Sequence, residues 1–427
     1  MGRLKIVYPV CCGMDVHRDF VIACIASTNS LGVTEYKSKR FSTYSSGLRD
    51  LAAWLKGNHC SDVCMESTGK YWFPVHNILE KCCNVVVTHP KFVKAIKGKK
   101  TDKKDAQWIA DLFKHDLVRG SFIPPEEIRQ LRDLCRYYQK LTWNATGEKN
   151  RAQNCLTVSN FKLDGVFSDV FGKSASAIIS FMLEHPGESF DVAPFMNKRC
   201  KSSLEDVQLA VDGLFSPWQA EKLKVIRQHI SNLNDLRSLL EALIFKLSEP
   251  FHRQLELLLT VPGISNPMTA IRIIAEIGVE MSQFESSKQL CSWAGLTPQN
   301  NESAGKKKTT RIGKAGQYIK PLLIQCAVAA CNPRSKRCPE LLAKYQILKK
   351  RRGVKKARVA IARRLLTAIF HILLKDEPYQ PYASSQNASV PMNRILSPEQ
   401  AIALLRRKGF IVNAPLSPVI PEVASSG

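Results

Sequence analysis

The chain lacks any run of the roughly 18 apolar residues that a membrane-spanning helix needs. Its first residues, Met1-Gly2-Arg3-Leu4-Lys5-Ile6-Val7-Tyr8, also lack the apolar stretch of a signal peptide and run straight into a strand-like segment. No C-x-x-C spacing occurs among the fourteen cysteines, which argues against a structural zinc site. With no secretory segment these cysteines read as reduced, buried small hydrophobes, including the adjacent pairs Cys11-Cys12 and Cys82-Cys83. There is no G-x-x-x-x-G-K-[ST] loop, so a P-loop nucleotide site is excluded, and no internal repeat. Acidic residues are scarce: 37 Asp and Glu face 62 Lys and Arg, giving a formal net charge of +25. The isoelectric point is near 9.6. That surplus calls for a polyanionic partner. Nucleic acid is the default, because Lys and Arg displace counterions from phosphates, and an anionic membrane surface is the rival.

At 427 residues with 44% hydrophobic content, the chain has room for two or three domains and a sizeable core. The first part reads as α/β. Segments near 6–14, 20–27, 62–66 and 84–88 are short, apolar and rich in Val, Ile and Cys, as strands are. Helical spacing runs over Ser46 to Lys56, Trp72 to Lys81 and Asp105 to His115. From about Pro125 the pattern becomes helical throughout. Glu126 to Asn160 and Glu221 to Lys246 predict long amphipathic helices, the second with Leu223, Ile226, Ile230, Leu233, Leu236, Leu239 and Leu240 on its apolar side. Residues 161–215 are helical but weakly patterned, and a third region opens at Arg253. The end, rich in Pro, Ser and Ala from about Ile411, reads as disordered.

Four acids stand at element ends. Asp15 closes the first strand in Gly13-Met14-Asp15-Val16-His17, and Glu66 closes another in Cys64-Met65-Glu66-Ser67. Asp102 and Asp105 lie three apart at a helix start, a spacing that shares a face. Singly, each reads more simply as a cap or a turn residue. Together they offer hard oxygen ligands from several elements, as a phosphodiester-cleaving Mg²⁺ site requires. They stand beside Lys94, Lys97, Lys99, Lys100, Lys103 and Lys104. A lysine run is usually a solvated face; flanking acids, it suits a polyanionic backbone. His17 and His115 read as structural or surface residues.

Further on, Val261-Pro262-Gly263-Ile264-Ser265 between apolar helical stretches resembles a helix-hairpin-helix, in which Gly263 exposes backbone N–H groups to phosphate. A plain turn between core helices explains the string equally well. The polar loop from Asn300 to Gly316 carries Ser303 among Lys306, Lys307, Lys308, Arg311 and Lys314, which suits a phosphate site. A serine there either hydrogen-bonds a phosphate or serves as a nucleophile. A dense basic segment, Leu348 to Arg358, includes Arg351, Arg352, Lys355 and Lys356, and favours a nucleic-acid backbone contact over mere solubilisation. It leads into the apolar helical stretch Val359 to Leu374.

The strings Gly13-Met14-Asp15-Val16, Met65-Glu66-Ser67-Thr68-Gly69-Lys70-Tyr71-Trp72 and Lys99-Lys100-Thr101-Asp102-Lys103-Lys104-Asp105-Ala106 resemble the DEDD transposases of bacterial insertion sequences, which include the Piv-type site-specific invertases. The Pro-Gly-Ile turn, the Ala-Gly-Leu-x-Pro string and the Ser-x-Gly-Lys loop fall in the order of that family's second transposase domain. The resemblance covers roughly residues 8–120 and 253–330. It implies a RuvC-like, RNase H-type domain whose four acids, here Asp15, Glu66, Asp102 and Asp105, hold Mg²⁺. It also implies a serine nucleophile that joins covalently to DNA. Ser303 occupies the matching position, in Ser-Ala-Gly where Ser-Gly-Gly is also familiar; Ser292 and Ser265 match less well. Double-stranded DNA, a structured guide RNA and a homodimer or tetramer are the implied partners, with no membrane, in the bacterial cytosol at the nucleoid. The expected layout is a RuvC-like domain over 1–124, a helical spacer or coiled-coil-like oligomerisation region over 125–250, a C-terminal transposase domain with a helix-hairpin-helix and the serine loop over 251–375, and an extended, partly disordered tail over 376–427. The alternatives are a metal-dependent nuclease of the junction-resolvase type and a non-catalytic nucleic-acid-binding protein.

Overall fold

The computed structural model describes residues 4–67, 69–93, 101–197, 200–298, 301–303, 306–309, 312–313, 315–334 and 338–381. Lys94, Lys97, Lys99, Lys100, Arg311, Lys314 and the end of the chain from 382 onward lie outside these residues.

The N-terminal part contains β1 (Val10–Val16), β2 (Phe20–Thr28), β3 (Thr34–Ser42), α1 (Ser45–Gly57), β4 (Asp62–Glu66), α2 (Trp72–Leu79), β5 (Asn84–Thr88), the short α3 (Pro90–Val93) and α4 (Asp102–Lys114). The five strands form one mixed sheet in the order β3-β2-β1-β4-β5. β1 to β3 run antiparallel as a meander; β4 and β5 join parallel to β1. This arrangement is compatible with an RNase H-like domain. β3 was not foreseen from sequence. It is the edge strand, mostly exposed, and reads Thr-Glu-Tyr-Lys-Ser-Lys-Arg-Phe-Ser, so it lacks the apolar run that marks a buried strand.

Strand alternation sorts the central residues onto two faces. Cys12, Met14, Val16, Val63 and Met65 pack with Leu48, Leu51 and Leu55 of α1 and Val75 and Leu79 of α2. Cys11 and Cys64 face the other way, onto Ile109, Ala110 and Phe113 of α4. Gly13, Asp15 and Glu66 share that second face by their spacing of two from Cys11 and Cys64. Gly13 is needed there. A Cβ on it would lie 2.3 Å from both the Ala106 carbonyl oxygen and the Ala110 nitrogen, so the backbone of α4 rests directly on β1.

The remainder is mainly helical. α5 (Glu126–Val158) leads through α6 (Leu163–Val166), α7 (Lys173–Glu184) and α8 (Leu204–Ala210) to α9 (Pro217–Ser248). α5 and α9 pair antiparallel: Leu131 and Cys135 meet Ile244, Leu141 and Ala145 meet Leu233, and Cys155 and Leu156 join the cluster of Leu223 and Ile226. The weakly patterned stretch between them packs its own core at the far end of this pair, from Leu163, Ile178, Ile179, Met182, Val207 and Phe215. On α9 the buried seam is Leu223, Ile226, Ile230, Leu233 and Ile244; Leu236 and Leu239 turn outward.

The C-terminal part holds α10 (His252–Leu259), α11 (Pro267–Ile277), α12 (Ser287–Trp293), the hairpin β6 (Asn301–Ser303) and β7 (Lys306–Thr309), α13 (Ile319–Ala330), α14 (Pro339–Arg352) and α15 (Val354–Lys375). Leu258, Val261, Ile264, Ile274, Leu290, Leu323, Ile361 and Leu365 share its core. Each such side chain, fully buried, contributes about 1.5–3 kcal/mol. Gly263 joins α10 to α11 at φ +86°, and a Cβ there would sit 2.1 Å from the Cys326 carbonyl oxygen. Its immediate role is to let this turn lie against the backbone of α13. No helix among the described residues is long and apolar enough to cross a membrane. All fourteen cysteines are free, and burial pushes Cys11, Cys60, Cys64 and Cys135 up to about 12, as inert thiols.

Candidate functional site

Asp15 is the penultimate residue of β1 and Glu66 the last of β4. The two strands are parallel neighbours, with Met14 opposite Met65, so both carboxylates leave the sheet at the same end. Thr101 caps α4 by accepting from the Lys104 N–H, which starts the helix at Asp102 and sets Asp102 and Asp105 in its first turn. Because α4 lies against Gly13, that turn is brought over Asp15. Asp15, His17 and Asp102 each present a ligand atom within 4.8 Å of the others. His17 Nε2 is 3.1 Å from Asp15 Oδ2 and 3.8 Å from Asp102 Oδ2. The Asp15 side chain is 15% exposed and that of Asp102 51% exposed, so the cluster opens from buried to solvent.

Burial pushes the Asp15 carboxyl above the usual carboxylate range; His17 opposes this, and the charges of Asp102 and Glu66 add to it. A site that crowds negative charge in this way is relieved by a cation. The donor set is hard carboxylate oxygen with one imidazole nitrogen, which fits a divalent metal ion. Asp105 lies half-buried one turn along α4 from Asp102.

Ser303 ends β6, with Lys306 of β7 as its backbone partner. What reads in sequence as a polar loop is therefore a two-stranded hairpin, and its base is clamped. Pro298 bridges Ile312. Gly295 and Gly316, both at positive φ, press on the opposite backbone: a Cβ on Gly316 would lie 2.1 Å from the Ala294 carbonyl oxygen, and one on Gly295 2.4 Å from that of Ala315. The Lys320 ammonium donates to the Gly313 and Ala315 carbonyl oxygens at 2.8 and 2.9 Å. Two residues before it, the Tyr318 ring stacks on Trp143 of α5, with centroids 5.7 Å apart, and the Arg136 guanidinium sits 4.8 Å from its centroid.

α5 ties the N-terminal part to the C-terminal part. Arg129 grips Glu80, beyond the end of α2, at 2.5 and 3.1 Å. One turn on, Arg132 donates to the Ala275 and Glu276 carbonyl oxygens at the end of α11. Arg136 pairs with the buried Glu276 carboxylate through two bonds of 2.7 and 2.9 Å.

Residues 12–160 match a DEDD transposase family model of the IS110 type, and residues 255–346 match the model described as Transposase IS116/IS110/IS902 family. The transposase for insertion sequence element IS1111A of Coxiella burnetii is 30% identical over 300 residues, 68% of this chain and 71% of that protein. The pilin gene-inverting protein of Moraxella bovis is 30% identical over 156 residues, 36% of this chain and 47% of its own. That of Moraxella lacunata is 30% identical over 125 residues, 29% and 38%. This chain belongs to the IS110 family of DEDD transposases.

As an IS110-family transposase it is a DNA recombination enzyme, and its family implies DNA binding and dependence on a divalent metal. His17 reads in sequence as a structural or surface residue, yet the imidazole stands among the acids. The signal for it is its spacing of two from Asp15, just past the end of β1. Arg129, Arg132 and Arg136 are legible as well, since their spacing of three and four marks one face of a helix. His115 is remote from the acids, at the opposite end of α4, where its Nδ1 lies 3.0 Å from the Lys5 carbonyl oxygen. Lys103 and Lys104 are exposed on the first turn of α4, beside the acids. Arg351 and Arg352 end α14 and Lys355 and Lys356 begin α15, all exposed around Gly353.

Proposed function

We propose that this IS110-family transposase cuts and rejoins double-stranded DNA at the ends of its element and at the target through a covalent serine intermediate. Asp15, Glu66, Asp102 and Asp105 would hold Mg²⁺ or a similar divalent ion. Such an ion, when bound, would stabilise charge on the scissile phosphate. Ser303 Oγ attacks phosphorus, the P–O3′ bond breaks, and the 3′-oxygen leaves as a hydroxyl after taking a proton. A free hydroxyl on a partner strand then displaces the serine, which recovers its proton. The number of phosphodiester bonds is conserved, so no nucleotide hydrolysis is required.

The observation that carries this reading is the convergence of Asp15, His17 and Asp102 within 4.8 Å at the exposed rim of the sheet. Lys103, Lys104, Lys306, Lys307, Lys308, Arg351, Arg352, Lys355 and Lys356 are proposed to bind phosphate backbones, together with Lys97, Lys99, Lys100, Arg311 and Lys314 and the Gly263 turn as a helix-hairpin-helix. The net charge of +25 also supports a structured guide RNA as a second polyanionic partner. An assembly of two or four copies is supported by α9, where Leu236, Leu239 and Leu243 form an outward stripe that is exposed among the described residues.

The deciding experiment is a denaturing gel of the protein incubated with labelled element-end DNA and Mg²⁺. A covalent protein–DNA adduct is expected in the wild type and absent in Ser303→Ala. An adduct that persists in Ser303→Ala would remove Ser303 as nucleophile. Cleavage with no adduct would favour water as nucleophile, the chemistry of a junction-resolvase-type nuclease.

A further inference from the structure

Among the described groups outside the four acids, His17 stands with Asp15 and Asp102 in the site. The three-residue turn after β1 is closed by the His17 N–H donating to the Phe20 carbonyl oxygen at 2.9 Å, which fixes the backbone under the imidazole. The ring lies tilted on Phe20, with centroids 4.5 Å apart. Phe20 is in turn held by the Arg40 guanidinium, 3.8 Å from its centroid. The imidazole is therefore oriented by a stack anchored on β2 and β3 (not by the acids alone), and its Nε2 is the atom turned toward Asp15 and Asp102. Nε2 hydrogen-bonds Asp15 Oδ2 at 3.1 Å and lies 3.8 Å from Asp102 Oδ2. For a metal, the same three atoms already converge at ligand spacing.

We infer that His17 is a nitrogen ligand of the divalent ion held by Asp15 and Asp102, and that it biases the site toward later first-row cations such as Co²⁺ and Zn²⁺ over Mg²⁺. This rests on the metal site proposed above and adds a donor to it. The physical ground is ligand chemistry. Mg²⁺ takes oxygen donors and surrenders water reluctantly, whereas an imidazole nitrogen is a good ligand for the first-row transition metals. A purely carboxylate site suits the oxygen-preferring ions Mg²⁺, Ca²⁺ and Mn²⁺ instead, and Mn²⁺ is used below as the spectroscopic probe. An orienting second role for Nε2, holding Asp15 by a hydrogen bond only, would leave oxygen as the sole protein donor, and the two cases differ in what the metal itself reports.

The test uses the full-length protein loaded with one equivalent of Mn²⁺ and read by pulsed electron paramagnetic resonance. Directly bound imidazole imprints ¹⁴N modulation on the Mn²⁺ echo. Wild type is expected to show it. His17→Gln, checked by its melting curve, is expected to lose it and to bind Mn²⁺ at least about tenfold more weakly, while Mg²⁺ competition changes less. Bound Mn²⁺ without ¹⁴N modulation in the wild type, or unchanged modulation in His17→Gln, would overturn the ligand role and leave the carboxylate site standing. Asp15→Asn serves as the separate control. If it binds Mn²⁺ as tightly as wild type, the carboxylate site itself fails, and the inference with it.

Discussion

The acid cluster and the serine hairpin are built in opposite ways. The acids sit on the central strands of a five-stranded sheet, and the helix that brings two of them rests backbone to backbone on Gly13. Little there can move without separating β1 from α4. β6 and β7 pair only with each other, and a lone two-stranded ribbon is marginal in water. Its placement depends on what grips its base: the Gly295–Gly316 crossing, the Lys320 ammonium and the Tyr318 ring against α5. Crowded like charges need a rigid frame, because they repel until a cation arrives. The hairpin that carries Ser303 is held at its root instead. Through Arg129, Arg132 and Arg136, α5 is the strut between the end of α2 in the N-terminal part and the end of α11 in the C-terminal part.

This contrast can be broken from either side. The largest effect is expected at the acids: Asp15→Ala or Asp102→Ala should lower strand cleavage by about 10³-fold or more, measured in single turnover, since each removes preorganised electrostatic stabilisation. Gly13→Ala should come next. Its added methyl must push α4 and the first-turn acids off the strand, and a misplacement of about 1 Å costs on the order of 10²-fold in rate. A Gly13→Ala enzyme of normal activity would refute the close-packed frame. At the strut, Arg136→Met takes both guanidinium hydrogen bonds from the buried Glu276 carboxylate. It should destabilise the protein by about 3 kcal/mol in urea unfolding, with Glu276→Gln in the same background recovering part of the loss. At the root of the hairpin, Tyr318→Ala should slow adduct formation by roughly tenfold, while Tyr318→Phe, which keeps the ring, should not; loss of an aromatic stack is worth about 1 kcal/mol.

The smallest effect concerns metal-free stability. Burial and the neighbouring acids raise the Asp15 carboxyl in the folded protein above its unfolded value. Between those two values the folded state binds more protons than the unfolded state, so this group's contribution to stability falls as pH rises through that window and stays unfavourable above it. Asp15→Asn should therefore melt slightly higher than wild type at neutral pH in chelator. The difference should vanish once the pH is low enough to protonate Asp15 in both states. Saturating divalent metal should reverse the order, because it stabilises only the protein that binds it.

Much of this was legible in the residues. The apolar runs of β1, β2, β4 and β5 and the long periodicity of α5 and α9 mark their elements because burial on one face or both leaves a repeating pattern. β3 leaves no apolar run because it is an exposed edge, and the turn-like polar string around Ser303 conceals a hairpin because three- and four-residue strands are too short to leave a pattern. The outward Leu236 and Leu239 looked like core because periodicity counts apolar residues without saying which of two adjacent stripes meets a neighbour.

By itself the sequence determined the chemistry on offer: four acids at element ends, a basic surface, a serine among lysines, and motif strings in the order of one family. Those are local properties, set by residue type and spacing. Only the tertiary structure decided that Gly13 lets α4 reach β1, that His17 joins the acids, and that three arginines of one helix join the N-terminal part to α11. Each of these depends on contacts between residues far apart in the chain, and such proximity is settled by packing, which no local spacing encodes.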